Sequence, residues 1–262
     1  MIDNFILIFS ALFGAIVGSF LNVVILRLPE PGQSIVYPAS HCPQCSSPLR
    51  WFENIPILSY IVLLGRCGHC KGMISLQYPL VELLMAIITA ALVQRFQLSL
   101  ATSGYFVFSA SLLVIIFIDI RLQIIPDVIS LPGIVLGFLF SLVSDTVTWQ
   151  SSLLGILAGG GVLYAVALLY ATLRKIDGMG GGDIKLLAMI GAWLGWQALP
   201  FVILMSSTTG SIIGLIAMRS QKKGGQTRIP FGPFLSLAAL MYLFYSEKIL
   251  NYYALYINGQ WP

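Results

Sequence analysis

The chain has 262 residues, of which 58% are apolar and only 9% charged, with a mean hydropathy of +0.91. Soluble domains carry about 25% charged residues, so this composition excludes one and indicates an integral membrane protein. The net charge of +4 is small, and where the basic residues sit says more than their sum. Apolar runs fall at 4–26, 79–98, 103–118, 128–144, 151–173, 184–197, 199–217 and 232–246. A span takes about 20 apolar residues. The pattern predicts an all-α polytopic membrane protein with about eight transmembrane helices. The sixth and seventh runs are short and separated only by GWQALP, and no internal repeat stands out. The first run follows MIDN, which lacks a basic stretch, and precedes RLPEP rather than small residues. It is expected to be a retained anchor, not a cleaved signal peptide.

Lysine and arginine then predict the orientation. With the N-terminus outside, the inner segments hold Arg27, Arg50, Arg66, Lys71, Arg121, Arg174, Lys175, Lys185, Arg219, Lys222, Lys223 and Arg228. The outer segments hold only Arg95 and Lys248, an asymmetry of 12 to 2. Both termini are therefore expected outside, with Asp119, Asp127 and Asp183 at the cytoplasmic ends of their spans.

The one long polar segment, 29–77, carries all four cysteines and both histidines, in HCPQC (41–45) and CGHC (67–70). Two C-x-x-C knuckles separated by 21 residues suit a tetrahedral zinc held by Cys42, Cys45, Cys67 and Cys70. Disulfides and a redox pair are the alternatives. The expected cytoplasmic side is reducing, and no βαβ pattern surrounds either knuckle. Four thiolates fill the tetrahedron, so the ion would be structural and would contribute folding free energy to a loop with few apolar residues. His41 and His69 adjoin the ligands and could replace one, although a place beside the site or on the surface is the simpler reading.

Acids within or bordering the spans are Glu82, Asp119, Asp127 and Asp183. Glu82 could reach the interface or meet an arginine, and Asp127, after Pro126, could cap its helix. Asp119 closes the run SLLVIIFID, where a helix C-terminus disfavours an anion. Asp183 could also be an N-cap, but that leaves Gly180, Gly181 and Gly182 before it unexplained. Glycines permit positive φ and the close approach of a second chain, so an extended peptide could lie beside the carboxylate. Two carboxylates sharing a proton can activate water and protonate a leaving amine. Asp183 with Asp119 is the expected pair. Helix polarity makes Asp183 the expected base and Asp119 the expected acid.

These stretches resemble the type IV prepilin peptidases, membrane aspartic proteases of the G-x-G-D class. GSFLNVVILRLP (18–29), ENIPILSY (53–60), YPLVELL (78–84), IDIRLQIIPD (118–127), GMGGGDIKLLAMIGAWLGW (178–196) and IPFGPFL (229–235) follow in the family's order around the cysteine knuckles. The resemblance maps the two catalytic aspartates onto Asp119 and Asp183. It implies an endopeptidase of the bacterial inner membrane, acting at the cytoplasmic face, that removes the leader of type IV prepilins or type II secretion pseudopilins. It further implies N-methylation of the new terminal residue from S-adenosylmethionine. The cysteine loop accompanies methylation in the family. The connection between RLP and the first knuckle is short, where some members carry an insertion.

The expected organisation is a first transmembrane helix (1–28), a cytoplasmic zinc-knuckle loop (29–77) and a membrane aspartic peptidase core (78–262). Lipid and pilin-type substrates are the expected partners, and nucleic acid is not. A proton-coupled transporter would ordinarily show repeated halves or broken spans, and neither is visible. A non-enzymatic zinc-bearing assembly protein of the secretion or pilus machinery would not need two interfacial acids and a glycine run. No glycine-rich nucleotide fingerprint in a βαβ setting marks a site for the methyl donor.

Overall fold

Each apolar run corresponds to one helix in the computed structural model, which describes residues 3–174, 180–221 and 230–257. In chain order these are α1 (Asn4–Arg27), a 3-10 turn at Trp51–Asn54, a short α2 (Leu58–Val62), α3 (Gln77–Phe96), α4 (Leu100–Leu122) and α5 (Asp127–Val143). They are followed by α6 (Trp149–Arg174), α7 (Gly181–Leu194), α8 (Ala198–Gln221) and α9 (Gly232–Ile257). Among the described residues there is no strand, only isolated bridges between His41 and Pro48 and between Arg66 and Met73. Five helices, α1, α3, α4, α6 and α8, are long and apolar enough to cross a membrane, and α5 is a shorter apolar helix. Lys175, Lys222, Lys223 and Arg228 of the charge pattern, and Gly178, Met179 and Ile229 of the quoted stretches, lie outside the described residues.

Several boundaries differ from the expected ones. Helix α4 continues past Asp119 to Leu122, so Asp119 sits in the last turn rather than at the end. Helix α7 starts three residues before its apolar run, at Gly181, and stops at Leu194. It stops there because Gly195 takes φ 77°, a conformation that suits glycine and ends the hydrogen-bond ladder.

Packing divides the chain within α4 into two units, Met1–Val114 and Ile115–Pro262. In the first, α1 lies against α3. Gly14, Gly18 and Asn22 recur every fourth residue and present a small face to α3. A Cβ at Gly18 would stand 2.7 Å from Glu82 Cα. Asn22 Nδ2 donates to Tyr78 O at 3.1 Å, stitching the same seam. Away from α3, α1 exposes Phe5, Phe9, Leu12 and Ile16, as a surface facing lipid would.

In the second unit α7 is the inner helix. Leu186 to Leu194 are all buried, as expected for a helix apolar on every side. It is fixed by polar contacts as well as by packing. Trp193 Nε1 donates to Gly133 O of α5 at 2.8 Å, and its ring stacks on Phe140 at 5.2 Å. Ser152 Oγ of α6 donates to Ala192 O at 2.8 Å. The first turn of α7 is thereby held at one end of a rigid rod.

Candidate functional site

Three stretches of the second unit converge where the acidic residues were expected. Asp119, in the last turn of α4, is buried, and its Oδ2 accepts the Gly232 N–H at 3.0 Å. Gly232 opens α9 and is followed by Pro233, so its N–H belongs to the unpaired set at a helix start. Asp183 lies in the first turn of α7, half-buried, and close enough to Asp119 for their charges to interact. The contrast behind the acid and base assignment is not retained. Asp119 is near the C-terminus of its own helix, but its carboxylate meets the N-terminus of another, as Asp183 meets that of α7.

Ile125, in the connection from α4 to α5, organises this convergence. A Cβ on Gly182 would stand 2.9 Å from Ile125 Cβ, and one on Gly232 would stand 3.1 Å from Ile125 Cδ1 and 2.7 Å from Asp119 Oδ2. Close approach, rather than positive φ, is therefore the need for glycine at 182 and 232. Gly180 has φ −67° and meets nothing nearer than Asp183 Oδ2 at 3.9 Å, and Gly181 faces open space. The expectation of left-handed backbone in the glycine run is overturned. The run is the extended entry to α7 and then its first turn.

The other acids have different work. Asp127 does not act as a cap: Pro126 holds the N-cap position of α5 without a side-chain bond. Instead Lys185 Nζ donates to both carboxylate oxygens of Asp127, at 2.7 and 2.8 Å, pairing the first turns of α5 and α7. In the first unit, buried Glu82 accepts the Ile57 N–H at 2.7 Å and bonds the Ser19 side chain. It meets loop backbone rather than an arginine.

The four cysteines come together. Cys42, Cys45, Cys67 and Cys70 have their Sγ atoms all within 4.8 Å of one another, with Cys42–Cys70 at 3.9 Å and Cys45–Cys67 at 4.0 Å. A tetrahedral ion with Zn–S bonds of about 2.3 Å needs sulfurs roughly 3.8 Å apart, so a zinc-sized ion fits. Each knuckle closes in the same way. Cys42 N donates to Ser47 O and Cys67 N to Gly72 O, while Ser46 and Lys71 take positive φ. Leu49 N to Ser40 O and Ile74 N to Gly65 O continue the match. The loop thus contains a local repeat, offset by 25 residues, that the sequence pattern alone did not reveal. The Ser47 side chain, 3.4 Å from Cys45 Sγ, and the Ser47 amide lower the Cys45 thiol to about 6. Backbone amides of Cys70 and His69 lower Cys67. These two shifts favour thiolates, whereas burial and the neighbouring thiols Cys45, Cys67 and Cys42 push Cys70 up to about 11. His41 and His69 are exposed and outside the ligand group, His41 Nδ1 lying 3.1 Å from Ala39 O.

Gly232 and Lys185 were not singled out as site residues from the sequence. A signal for the first was present in IPFGPFL, since a glycine before proline at a helix start can present its N–H to an anion. The second shows only in the fold, because 58 residues separate it from Asp127.

Residues 12–96 match the bacterial peptidase A24 N-terminal domain, and residues 106–215 match the type IV leader peptidase family. A prepilin leader peptidase/N-methyltransferase of Aeromonas hydrophila is 38% identical over 92% of this chain and 91% of its own. The chain belongs to the type IV leader peptidase family. Proteins of the same description from Pseudomonas aeruginosa (37% identical, 93% of this chain and 92% of that one) and Burkholderia pseudomallei strain 1026b (36%, 91% and 85%) agree. No solved structure matches the chain. For this leader peptidase the two family segments fall on either side of Gln97–Tyr105: the cysteine loop lies in the first, and both Asp119 and Asp183 in the second.

Proposed function

We propose that this protein cleaves the leader from type IV prepilins or pseudopilins with Asp119 and Asp183, then N-methylates the new terminal residue. Membership of the leader peptidase family supports the activity. The observation that carries the site is the placement of Asp119 against Gly232 N–H with Asp183 within electrostatic reach. In the cleavage step one carboxylate takes a proton from water as its oxygen attacks the scissile carbonyl carbon. The other, protonated, gives its proton to the departing amide nitrogen. The C–N bond breaks, leaving a leader carboxylate and a free amine. The division of roles belongs to the coupled pair.

Eight helices, α1 and α3 to α9, cross the bacterial inner membrane in this reading, with both termini outside and the aspartates facing the cytoplasm. The 12-to-2 distribution of basic residues supports that orientation. Residues 1–28 form the first span, 29–77 the cytoplasmic loop and 78–262 the peptidase core. Zinc on Cys42, Cys45, Cys67 and Cys70 would cross-link the two knuckles, and with four thiolates it leaves no open position for catalysis. S-adenosylmethionine would supply the methyl group. Among the described residues no strand-to-helix glycine loop is present, so the donor would need a site of another kind.

The test is incubation of the purified protein in bilayer discs with a prepilin, with and without S-adenosylmethionine, followed by mass analysis. Loss of the leader in both arms and a 14-dalton gain in one arm are expected, the mass of a CH2 group added by a single methylation. An unchanged prepilin in both arms would overturn the reading.

A further inference from the structure

Helix α2 is only five residues long, yet its apolar side chains are turned outward. Leu58, Ile61 and Val62 occupy positions i, i+3 and i+4, so they share one face, and they are 55%, 61% and 70% exposed. Leu64, just beyond, is 83% exposed. The remaining residues of α2 face inward: Ser59 Oγ donates to Ile55 O at 2.7 Å and Tyr60 Oη to Ile74 O at 3.3 Å. An outward leucine, isoleucine and valine on so small an element is a partner surface rather than chance exposure.

The depth at which α2 is held points to that partner. Ile57, directly before it, is the centre of a tight turn with φ 63° and ψ −49°, closed by Leu58 N to Pro56 O at 2.6 Å. A β-branched residue is strained there. The Ile57 N–H is captured at 2.7 Å by Glu82, a buried carboxylate five residues beyond the start of α3. Five residues of helix are about 7.5 Å of rise. The loop is thus tied to the first turns of α3, a helix long and apolar enough to cross a membrane, which shows outward apolar residues of its own, Leu80 and Leu83. The outward residues of α2 share an exposed, apolar character with Leu80 and Leu83 of the helix to which the loop is tied. Exposed Arg66 and Lys71 follow, suited to anionic headgroups.

We propose that α2 and Leu64 are bedded in the cytoplasmic leaflet, at the boundary between headgroups and acyl chains, and that Glu82 is the pin that holds them there. The cysteine loop is then a membrane-surface module with a fixed floor. This inference rests on the proposed orientation of the spans, but not on the catalytic reading.

The test uses the full chain in discs of phosphatidylcholine and phosphatidylglycerol, with native cysteines intact. A nitroxide is attached through a genetically encoded ketone side chain at position 61, 64 or, as an exposed polar reference in the same loop, 33. EPR power saturation compares collisions with oxygen and with a water-soluble nickel complex. Labels at 61 and 64 are expected to collide with nickel several-fold less, relative to oxygen, than the label at 33. Equal nickel access at all three positions overturns the proposal. Protection at 61 and 64 that develops only on adding a prepilin also overturns it, in favour of a protein occupant. Glu82→Gln retains an acceptor for Ile57 N–H and should keep the label at 61 protected, whereas Glu82→Leu should raise its nickel access with bound metal unchanged. Protection persisting in Glu82→Leu would remove Glu82 as the pin.

Discussion

In the cysteine loop, four sulfur atoms come from two short stretches, 42–45 and 67–70, each folding into the same turn by its own backbone hydrogen bonds. At the acidic site the groups come from three stretches, and the contact between Asp119 and Gly232 spans 113 residues. The first is a local design repeated, two knuckles with matching turns whose sulfurs meet. The second exists only after α4, α7 and α9 have packed. The comparison predicts different failures. Damage to the loop should stay in the loop, while small shape changes far apart in sequence should be felt together at the carboxylates.

The largest structural effect is expected from replacing any ligand cysteine. Cys42→Ser or Cys67→Ser should lose bound zinc and expose segment 40–75 to proteolysis, with α1 and α3 still inserted. Metal analysis and limited proteolysis under reducing, chelator-free conditions check this. A retained metal, or collapse of the whole membrane fold, would break the distinction between the two regions.

Next in size are the close approaches. Gly182→Val and Gly232→Val should each reduce cleavage by about 100-fold, because a displacement near 1 Å at a catalytic group costs that much. Gly180→Val should be far milder, since its backbone has negative φ and open space around it. Steady-state cleavage of one prepilin by the three variants, at matched membrane levels, decides it. Equal loss in all three would return the argument to backbone freedom.

The smallest effect belongs to the Lys185–Asp127 pair, which is partly solvent-exposed. Such a pair contributes less than about 1 kcal/mol after screening. Lys185→Ala or Asp127→Asn should slow cleavage only a few-fold, and the exchanged pair Lys185→Asp with Asp127→Lys should recover part of the loss. A double-mutant cycle on cleavage rate measures the coupling.

The apolar runs were enough to foresee an all-helical chain, five of whose helices are long and apolar enough to cross a membrane, because a span demands an unbroken apolar stretch whatever the neighbours are. Knuckle spacing was enough to foresee the sulfur cluster, because its partners are near in sequence. What escaped the sequence were groups defined by proximity across the fold. Gly232 contributes a backbone N–H: IPFGPFL signals that such a group is available, but not that Asp119, 113 residues away, takes it. From sequence alone Lys185 reads only as a basic residue of the inner segments, and Asp127 as a cap. Ile57 and Glu82 meet through a strained turn that composition does not encode. The 25-residue repeat in the loop is written in backbone geometry, with serine at 46 where lysine stands at 71.

Cleavage is expected to rest on Asp119 and Asp183 together, and methylation is not. The most direct measurement is mass analysis of prepilin and of pre-cleaved pilin treated with Asp119→Asn, Asp183→Asn and Asp127→Asn proteins in the presence of S-adenosylmethionine. The first two variants should lose cleavage by at least about 100-fold, the contribution typical of a positioned acid or base, and still methylate pre-cleaved pilin. Asp127→Asn should cleave at a rate within a few-fold of the unaltered protein. Near-normal leader removal by Asp119→Asn or Asp183→Asn, at matched membrane levels, would contradict the account.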